Sequence, residues 1–198
     1  MFLAVEKYFN QDGKKALVIV AHPDDETIWL GGAILKFKNL DWTIFSLCRA
    51  KDSDRAPKFF KVCKHYGARG LMADLDDENR LTLKESLPVI KKIILKELRG
   101  KSFDFIFTHG ANGEYGHPRH KGVHQAVKQL IKEKKLPTKF IFYFNYYNKK
   151  IKPDFSLKLS PREFAGKKKI MSELYGFDPH GIDANYCANP EAFKIVII

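Results

Sequence analysis

Two short stretches of this 198-residue chain gather groups that bind metals or move protons: Ala21-His22-Pro23-Asp24-Asp25-Glu26, and the run from His109 to His120, which ends Glu114-Tyr115-Gly116-His117-Pro118-Arg119-His120. His22 and Asp25 are three residues apart in what reads as a tight turn, where a curved backbone can aim both side chains at one point. They offer one nitrogen and one oxygen. A catalytic zinc typically takes three protein ligands and keeps a position open, and two histidines with one carboxylate form such a set. The third ligand must come from the second stretch. His117 and His120 are spaced to share a helical face, so one can complete the set while the other stands beside the reacting centre. A divalent ion lowers the pKa of a water molecule, whose proton then needs an acceptor. Asp24 adjoins Asp25 and can face the open position, whereas Glu26 falls in a first helical turn, where the dipole favours an acid in any case. The expected base is Asp24. Ferrous iron suits the same donors as zinc.

These groups need elements that bring two distant loops together. Apolar β-type runs recur at 16–21, 42–48, 69–75, 103–108 and 139–147, and segments of helical period lie between them. Phe59, Val62, Cys63 and Tyr66 make one face of a helix over 54–66 that stops near Gly67. A second helix spans 85–99, with Pro88 in its first turn, and a third starts near 119 with Val123, Ala126, Val127, Leu130 and Ile131 on its apolar side. Alternation of this kind predicts a three-layer α/β sandwich with a mostly parallel, Rossmann-like sheet. Both polar stretches follow strands, and in open α/β sheets ligands bind at the carboxyl ends of strands. Past residue 150 the alternation weakens, leaving a predicted helix at 161–175 and a final β-type run at 193–198.

The length fits one domain over 1–198, and no repeat or linker divides it. A hydrophobic fraction of 44% and a charged fraction of 29% are ordinary for a globular protein, which excludes a disordered chain. The three cysteines have no C-x-x-C spacing, so they read as free thiols in a reducing, cytoplasmic setting. No signal peptide or membrane span is expected. The formal charge of +12 comes from 35 basic and 23 acidic residues, but much of the lysine lies on polar helix faces and no nucleic-acid-binding motif accompanies it. No nucleic-acid partner is expected, and the excess charge is left to solvation or to attracting an anionic small molecule.

AHPDDE behind the first strand and EYGHPRH behind a strand ending in Thr-His resemble the motifs of the LmbE-like, or PIG-L, family of metal-dependent sugar N-deacetylases. The resemblance covers most of the chain but little of its last 50 residues. It implies that His22, Asp25 and His120 bind zinc, that Asp24 is general base and then general acid, and that His117 steadies the oxyanion. It further places Tyr115 beside the reacting carbonyl and makes Arg55 a substrate contact. Many bacterial members read H-P-D-H, where this chain has Arg119. A cation there would lower the pKa of His117, so either another acid, with Glu114 as the candidate, orients His117 or the role of His117 is weakened. The implied activity is hydrolysis of the acetamide of an N-acetylglucosamine-type substrate. The alternative from another class is a noncatalytic carbohydrate- or polyanion-binding protein on the same fold. His109 and His124 read as supporting neighbours or surface groups, and the acids Asp74, Asp76, Asp77 and Glu78 as a solvated loop. Phe140 to Tyr147 reads as a buried strand with one wet end, where Tyr146 or Tyr147 could stack on a sugar.

Overall fold

The computed structural model describes residues 9–78, 80–146 and 151–198. Strand β1 (Lys15–Val20) shows why the sheet is covered on both sides: Ala16, Val18 and Val20 enter one apolar cluster, while Leu17, Ile19 and then Ala21 enter another. A strand buried on both faces reads as a continuous apolar run rather than an alternating one. β2 (Asp41–Cys48), β3 (Arg69–Leu75), β4 (Phe105–Thr108) and β5 (Phe140–Phe144) join it in a parallel array. Two further strands, β6 (Phe155–Leu157) and β7 (Glu191–Ile197), pair antiparallel beyond β5. The sheet order is β3-β2-β1-β4-β5-β7-β6. Because the chain leaves β1 toward one edge and returns at β4 toward the other, the loops after these two neighbours diverge and open a crevice. The two polar stretches are those loops.

Helices α1 (Asp25–Lys36) and α2 (Arg55–Tyr66) pack on the Ala16/Val18/Val20 face, and α3 (Leu83–Leu98) and α4 (Pro118–Lys132) cover the other. The predicted three-layer sandwich is therefore the observed one. Local chemistry sets the helix ends. α2 stops at Gly67, whose φ of +69° is the left-handed cap conformation. α3 begins two residues earlier than its apolar period indicates, because Thr82 and Glu85 form a reciprocal capping box. α4 starts with Pro118 at its first position, where no amide hydrogen is needed.

The C-terminal quarter departs more from expectation. The predicted helix at 161–175 is α-helical only for α5 (Pro161–Lys169) and continues as a wider π-turn over Ile170–Leu174. β6, of three residues, and α6 (Ile182–Tyr186), of five, are too short to leave a period in the sequence. This region is nonetheless bolted to α1. The Glu191 carboxylate reaches into the middle of α1 and accepts the amides of Gly32 at 2.7 Å and Ala33 at 2.9 Å, while Lys167 Nζ donates to it at 2.6 Å. Ala188 N–H in turn takes the Ile28 carbonyl at 3.2 Å. Such an approach needs glycine: a Cβ on Gly32 would run into Leu159, and one on Gly31 into the Tyr66 hydroxyl. Among the described residues no helix is long and apolar enough to cross a membrane.

Candidate active site

The turn after β1 is strained. Asp24 holds φ +117° and ψ −33°, a conformation uncommon for any residue but glycine. Its carbonyl accepts the Thr27 and Ile28 amides and so starts α1, but its side chain caps nothing and faces the cavity instead. Glu26 is fully buried and occupied: it accepts from Asp24 N at 3.1 Å, Thr27 Oγ1 at 2.6 Å and Tyr175 OH at 2.8 Å. Glu26 thus pins the turn, and of the two candidate bases only Asp24 lines the cavity. Burial, reinforced by the neighbouring Asp25 charge, pushes the Asp24 pKa well above the usual carboxylate range.

Three donor atoms converge beside it. His22 Nδ1 lies 3.3 Å from Asp25 Oδ2, His120 Nε2 lies 3.4 Å from the same oxygen, and the two ring nitrogens are 3.3 Å apart. Nitrogen and oxygen ligands about 2.0–2.1 Å from a tetrahedral ion stand about 3.3–3.4 Å from one another, so this triangle fits zinc. Each imidazole is prepared to offer that nitrogen. His22 Nε2 is 2.7 Å from Asp77 Oδ1, and His120 Nδ1 is 2.6 Å from Glu114 Oε2, so each outer nitrogen carries the hydrogen and each inner one keeps its lone pair. The cluster attracts positive charge. Burial opposes protonation of His22, yet Asp25 and Asp77 together draw its pKa up to about 10. Burial likewise opposes ionisation of Asp25, but His120 and His109 hold it well below the usual range.

His109 lies 3.5 Å from Asp25 through Nε2, and that nitrogen accepts the Ala21 amide at 2.9 Å. A lone pair committed to an amide is not free for a metal. Burial lowers the pKa of His109 while Glu114 and Asp25 raise it to about 9, yet a doubly protonated ring could not accept from Ala21. His109 is therefore neutral, with its hydrogen on Nδ1 toward Glu114 at 2.8 Å. Glu114 also accepts the Gly110 amide at 2.8 Å, so one buried carboxylate organises the whole second loop. Against burial, His109 and His120 hold its pKa down to about 2. His124 donates to the His109 carbonyl at 2.9 Å and packs on Tyr143, one layer further out.

His117 N-caps α4 and accepts the Arg119 amide on Nδ1 at 3.2 Å, which leaves Nε2–H as a donor. Burial and the neighbouring imidazoles of His120 and His22 lower its pKa to about 4. Two expectations are corrected here. Glu114 turns to His109 and His120, not to His117. The guanidinium of Arg119 is buried against Asp76, so it is the backbone of Arg119, rather than its charge, that meets His117. The acidic loop after β3 is solvated only in part: Asp74 and Glu78 are exposed, whereas Asp76 holds Arg119, and Asp77 holds His22 and Arg49.

These groups line a cavity of about 270 Å³, smaller than a pocket that would enclose a drug-sized ligand. Arg55 enters it with its guanidinium 4.4 Å above the Phe177 ring and its Nη1 3.7 Å from Asp24, and among the described residues that buried Nη1 has no hydrogen-bond partner. Tyr115 is 45% exposed and stacks on Tyr186 at 4.9 Å. Burial, with Asp25 and Asp24 nearby, raises the pKa of the Tyr115 hydroxyl, so it remains a donor. All seven expected site residues, His22, Asp24, Asp25, Arg55, Tyr115, His117 and His120, are thus in or against one crevice. Sequence reasoning missed Phe177, Asp183 and Tyr186, and left Asp77 to solvent. Only Asp77 carried a signal, as an acid just after a strand. Tyr146 packs on Trp29, and Tyr147 lies outside the described residues.

The model of the family PIG-L, GlcNAc-PI de-N-acetylase, matches residues 17–131. An uncharacterised protein, L374, of Acanthamoeba polyphaga mimivirus is 26% identical over 83% of this chain and 76% of its own length. A probable N-acetylglucosaminyl-phosphatidylinositol de-N-acetylase of Dictyostelium discoideum is 24% identical over 61% of this chain, which spans about half, 51%, of that protein. Among solved structures, N,N'-diacetylchitobiose deacetylase from Pyrococcus horikoshii superposes with a TM-score of 0.70 over 94% of this chain and 85% of its own, at 17% identity. The 4-carboxy-2-hydroxymuconate hydratase GalB of Pseudomonas putida superposes with a TM-score of 0.61 over 93% and 97%, at 16% identity. At such identities the structural likeness concerns the fold alone.

Proposed function

We propose that this chain, which belongs to the PIG-L family of GlcNAc-PI de-N-acetylases, is a metal-dependent amidohydrolase that removes the acetyl group from an N-acetylglucosamine-type sugar. The observation that carries this reading is the triangle of His22 Nδ1, Asp25 Oδ2 and His120 Nε2, with sides of 3.3–3.4 Å. Beside the triangle, Asp24 faces the cavity with a side chain that caps no helix, where it can serve as the base that amide hydrolysis requires.

Zinc, or ferrous iron, bound by these three residues would polarise the acyl carbonyl and lower the pKa of a water molecule toward 7. The chain's own residues do the rest. Asp24, with its raised pKa, takes the proton of the attacking water and returns it to the departing nitrogen. His117, neutral because burial and its neighbours depress its pKa, donates from Nε2 to the carbonyl oxygen as negative charge develops there. Tyr115 OH donates to the same oxygen. Arg55, whose Nη1 makes only a long ion pair to Asp24, binds the sugar or an anionic substituent such as a phosphate, for which its planar fork is suited. Acetate and a free amine leave.

The test is a free-amine assay on N-acetylglucosamine, its phosphate, and its lipid-, inositol- and peptide-linked forms, with zinc-loaded and chelator-treated protein. Amine release that requires metal is expected from at least one of them. Failure of zinc-loaded protein to release amine from any would overturn the reading.

A further inference from the structure

Two acids of the loop after β3, Asp76 and Asp77, are engaged by Arg119, His22 and Arg49. We infer that Asp77 is the positioning residue for His22: its carboxylate fixes which nitrogen of His22 faces the metal and in what direction, while Arg49 and the Asp76–Arg119 pair hold Asp77 in place. The inference rests on the metal role proposed above for His22.

The geometry is that of a two-sided grip. Asp77 Oδ1 is 2.7 Å from His22 Nε2, and Asp77 Oδ2 accepts from Arg49 Nε at 2.8 Å and lies 2.7 Å from Arg49 Nη2. With one oxygen held by a fork of two N–H groups, the other cannot rotate away from the imidazole. His22 itself follows β1, and among the described residues Asp77 is the side chain hydrogen-bonded to its Nε2. Its partner ligand, His120, is gripped in the same manner by Glu114, but Glu114 belongs to the same loop as His120 and is held by Gly110 N–H. Asp77 comes from a separate loop, and so that loop must be tied down by other means.

Arg119 supplies the tie. It adjoins His120, is 1% exposed, and directs Nη2 to Asp76 Oδ2. Asp76 also accepts the amides of Glu78 at 3.3 Å and Leu81 at 3.2 Å, which curls the loop around the guanidinium. An acid at position 119 would repel Asp76 and Asp77 from this place. The arginine in the H-P-R-H motif is therefore matched to the acidic pair after β3: it connects the helix bearing His120 to the carboxylate that orients His22.

The test is zinc affinity, measured by competition with a chromophoric chelator, together with the melting temperature of the metal-free protein. His22→Ala should abolish stoichiometric zinc binding. Asp77→Ala should raise the zinc Kd roughly 10–100-fold, the usual cost of losing such an outer partner, and should also lower the melting temperature of the metal-free form, because its ion pairs with His22 and Arg49 are lost. Asp77→Asn, which keeps an acceptor for Nε2–H but not its charge, should fall between Asp77→Ala and wild type. Should Asp77→Ala fail to fold, Arg49→Gln, on a side chain that is 43% exposed, provides the second measurement and should weaken zinc in the same direction. Zinc affinity within threefold of wild type in Asp77→Ala, or in Arg49→Gln where that is the folded variant, overturns the inference if His22→Ala has lost its zinc, and leaves the metal reading standing. Retention of zinc by His22→Ala overturns both.

Discussion

Replacing Asp24 by asparagine exchanges one carboxylate oxygen for an NH2 group, which removes the charge and the long ion pair to Arg55 but keeps the shape of the side chain. Asparagine tolerates positive φ as well as aspartate does, so the turn at φ +117° is kept. Its amide does not enter the His22, Asp25 and His120 triangle, so metal stoichiometry should be unchanged. Loss of a general base typically costs about 10²–10⁴ in rate, equivalent to roughly 2.7–5.4 kcal/mol in the barrier at 1.36 kcal/mol per decade. Stability should move the other way. Because burial, followed by the Asp25 charge, raises the folded pKa of Asp24, the fold favours the protonated form. Above the unfolded pKa the ionised carboxylate then destabilises the native state, increasingly so up to the folded pKa. A neutral amide escapes this. Removing an acid of this kind commonly gains about 0.5–2 kcal/mol, which at about 2–4 °C per kcal/mol for a chain of this size is a rise of roughly 1–8 °C.

Two measurements decide the matter: kcat of the zinc-loaded variant, and the melting temperature of the metal-free variant at pH 7 and at pH 3.5. Activity down at least a hundredfold with a higher melting temperature at pH 7, and near-coincidence with wild type at pH 3.5, is expected. Activity within threefold of wild type would remove Asp24 from the chemistry. A lower melting temperature at pH 7 would show that its charge stabilises the turn, contrary to the reasoning from burial.

His117→Ala should lose roughly 10²–10³ in kcat, the scale for one oxyanion donor, with zinc stoichiometry intact; loss of zinc instead would make His117 a ligand. Lys167→Met leaves Glu191 buried without its cation and should cost about 3–5 kcal/mol, a fall of roughly 6–20 °C in melting temperature, and a shift under 2 °C would refute that account. Glu114 carries a pH signature. Its pKa of about 2 lies below its ordinary value of 4.5, so its stabilisation is full above pH 4.5 and is lost as pH falls toward 2. Melting temperatures of metal-free Glu114→Gln should therefore start lower at pH 7 and fall less steeply through that window, and parallel curves for the two proteins would contradict it.

The five parallel strands and α2, α3 and α4 were legible because each is long enough to show its period, and because a strand buried on both faces is apolar at every position. Site residues were legible where chemistry and spacing coincide, as with His22 and Asp25 three apart in a turn. What spacing could not say was how an acid is used. Glu114 reads as a partner for His117 because it is near in sequence, but the positive φ of Glu114 and Gly113 turns its carboxylate inward to His109 and His120. Asp76 and Asp77 read as solvated because acidic loops usually are, and only the tertiary approach of Arg119 and His22 reverses that. Phe177, Asp183 and Tyr186 belong to segments with no period, and they reach the cavity only because α1 carries the C-terminal segment beside it.

That dependence runs in both directions. The turn at Asp24 holds a conformation costing of order 1–3 kcal/mol, and it persists only if its surroundings determine it more than once. Glu26 accepts the Asp24 amide, and Thr27 and Ile28 take its carbonyl, but these contacts all lie within one turn of α1 and would move with it. What keeps α1 from shifting is farther along: Glu191 on the Gly32 and Ala33 amides, Lys167 on Glu191, Tyr175 on Glu26, and Ala188 on the Ile28 carbonyl. Every one of these comes from residues 167–191. The segment with the weakest pattern in the sequence is thus the one that fixes the helix bearing Asp24 and Asp25. A charge removed from it at Lys167 or Glu191 acts on the active-site turn through the body of α1, without touching substrate or metal.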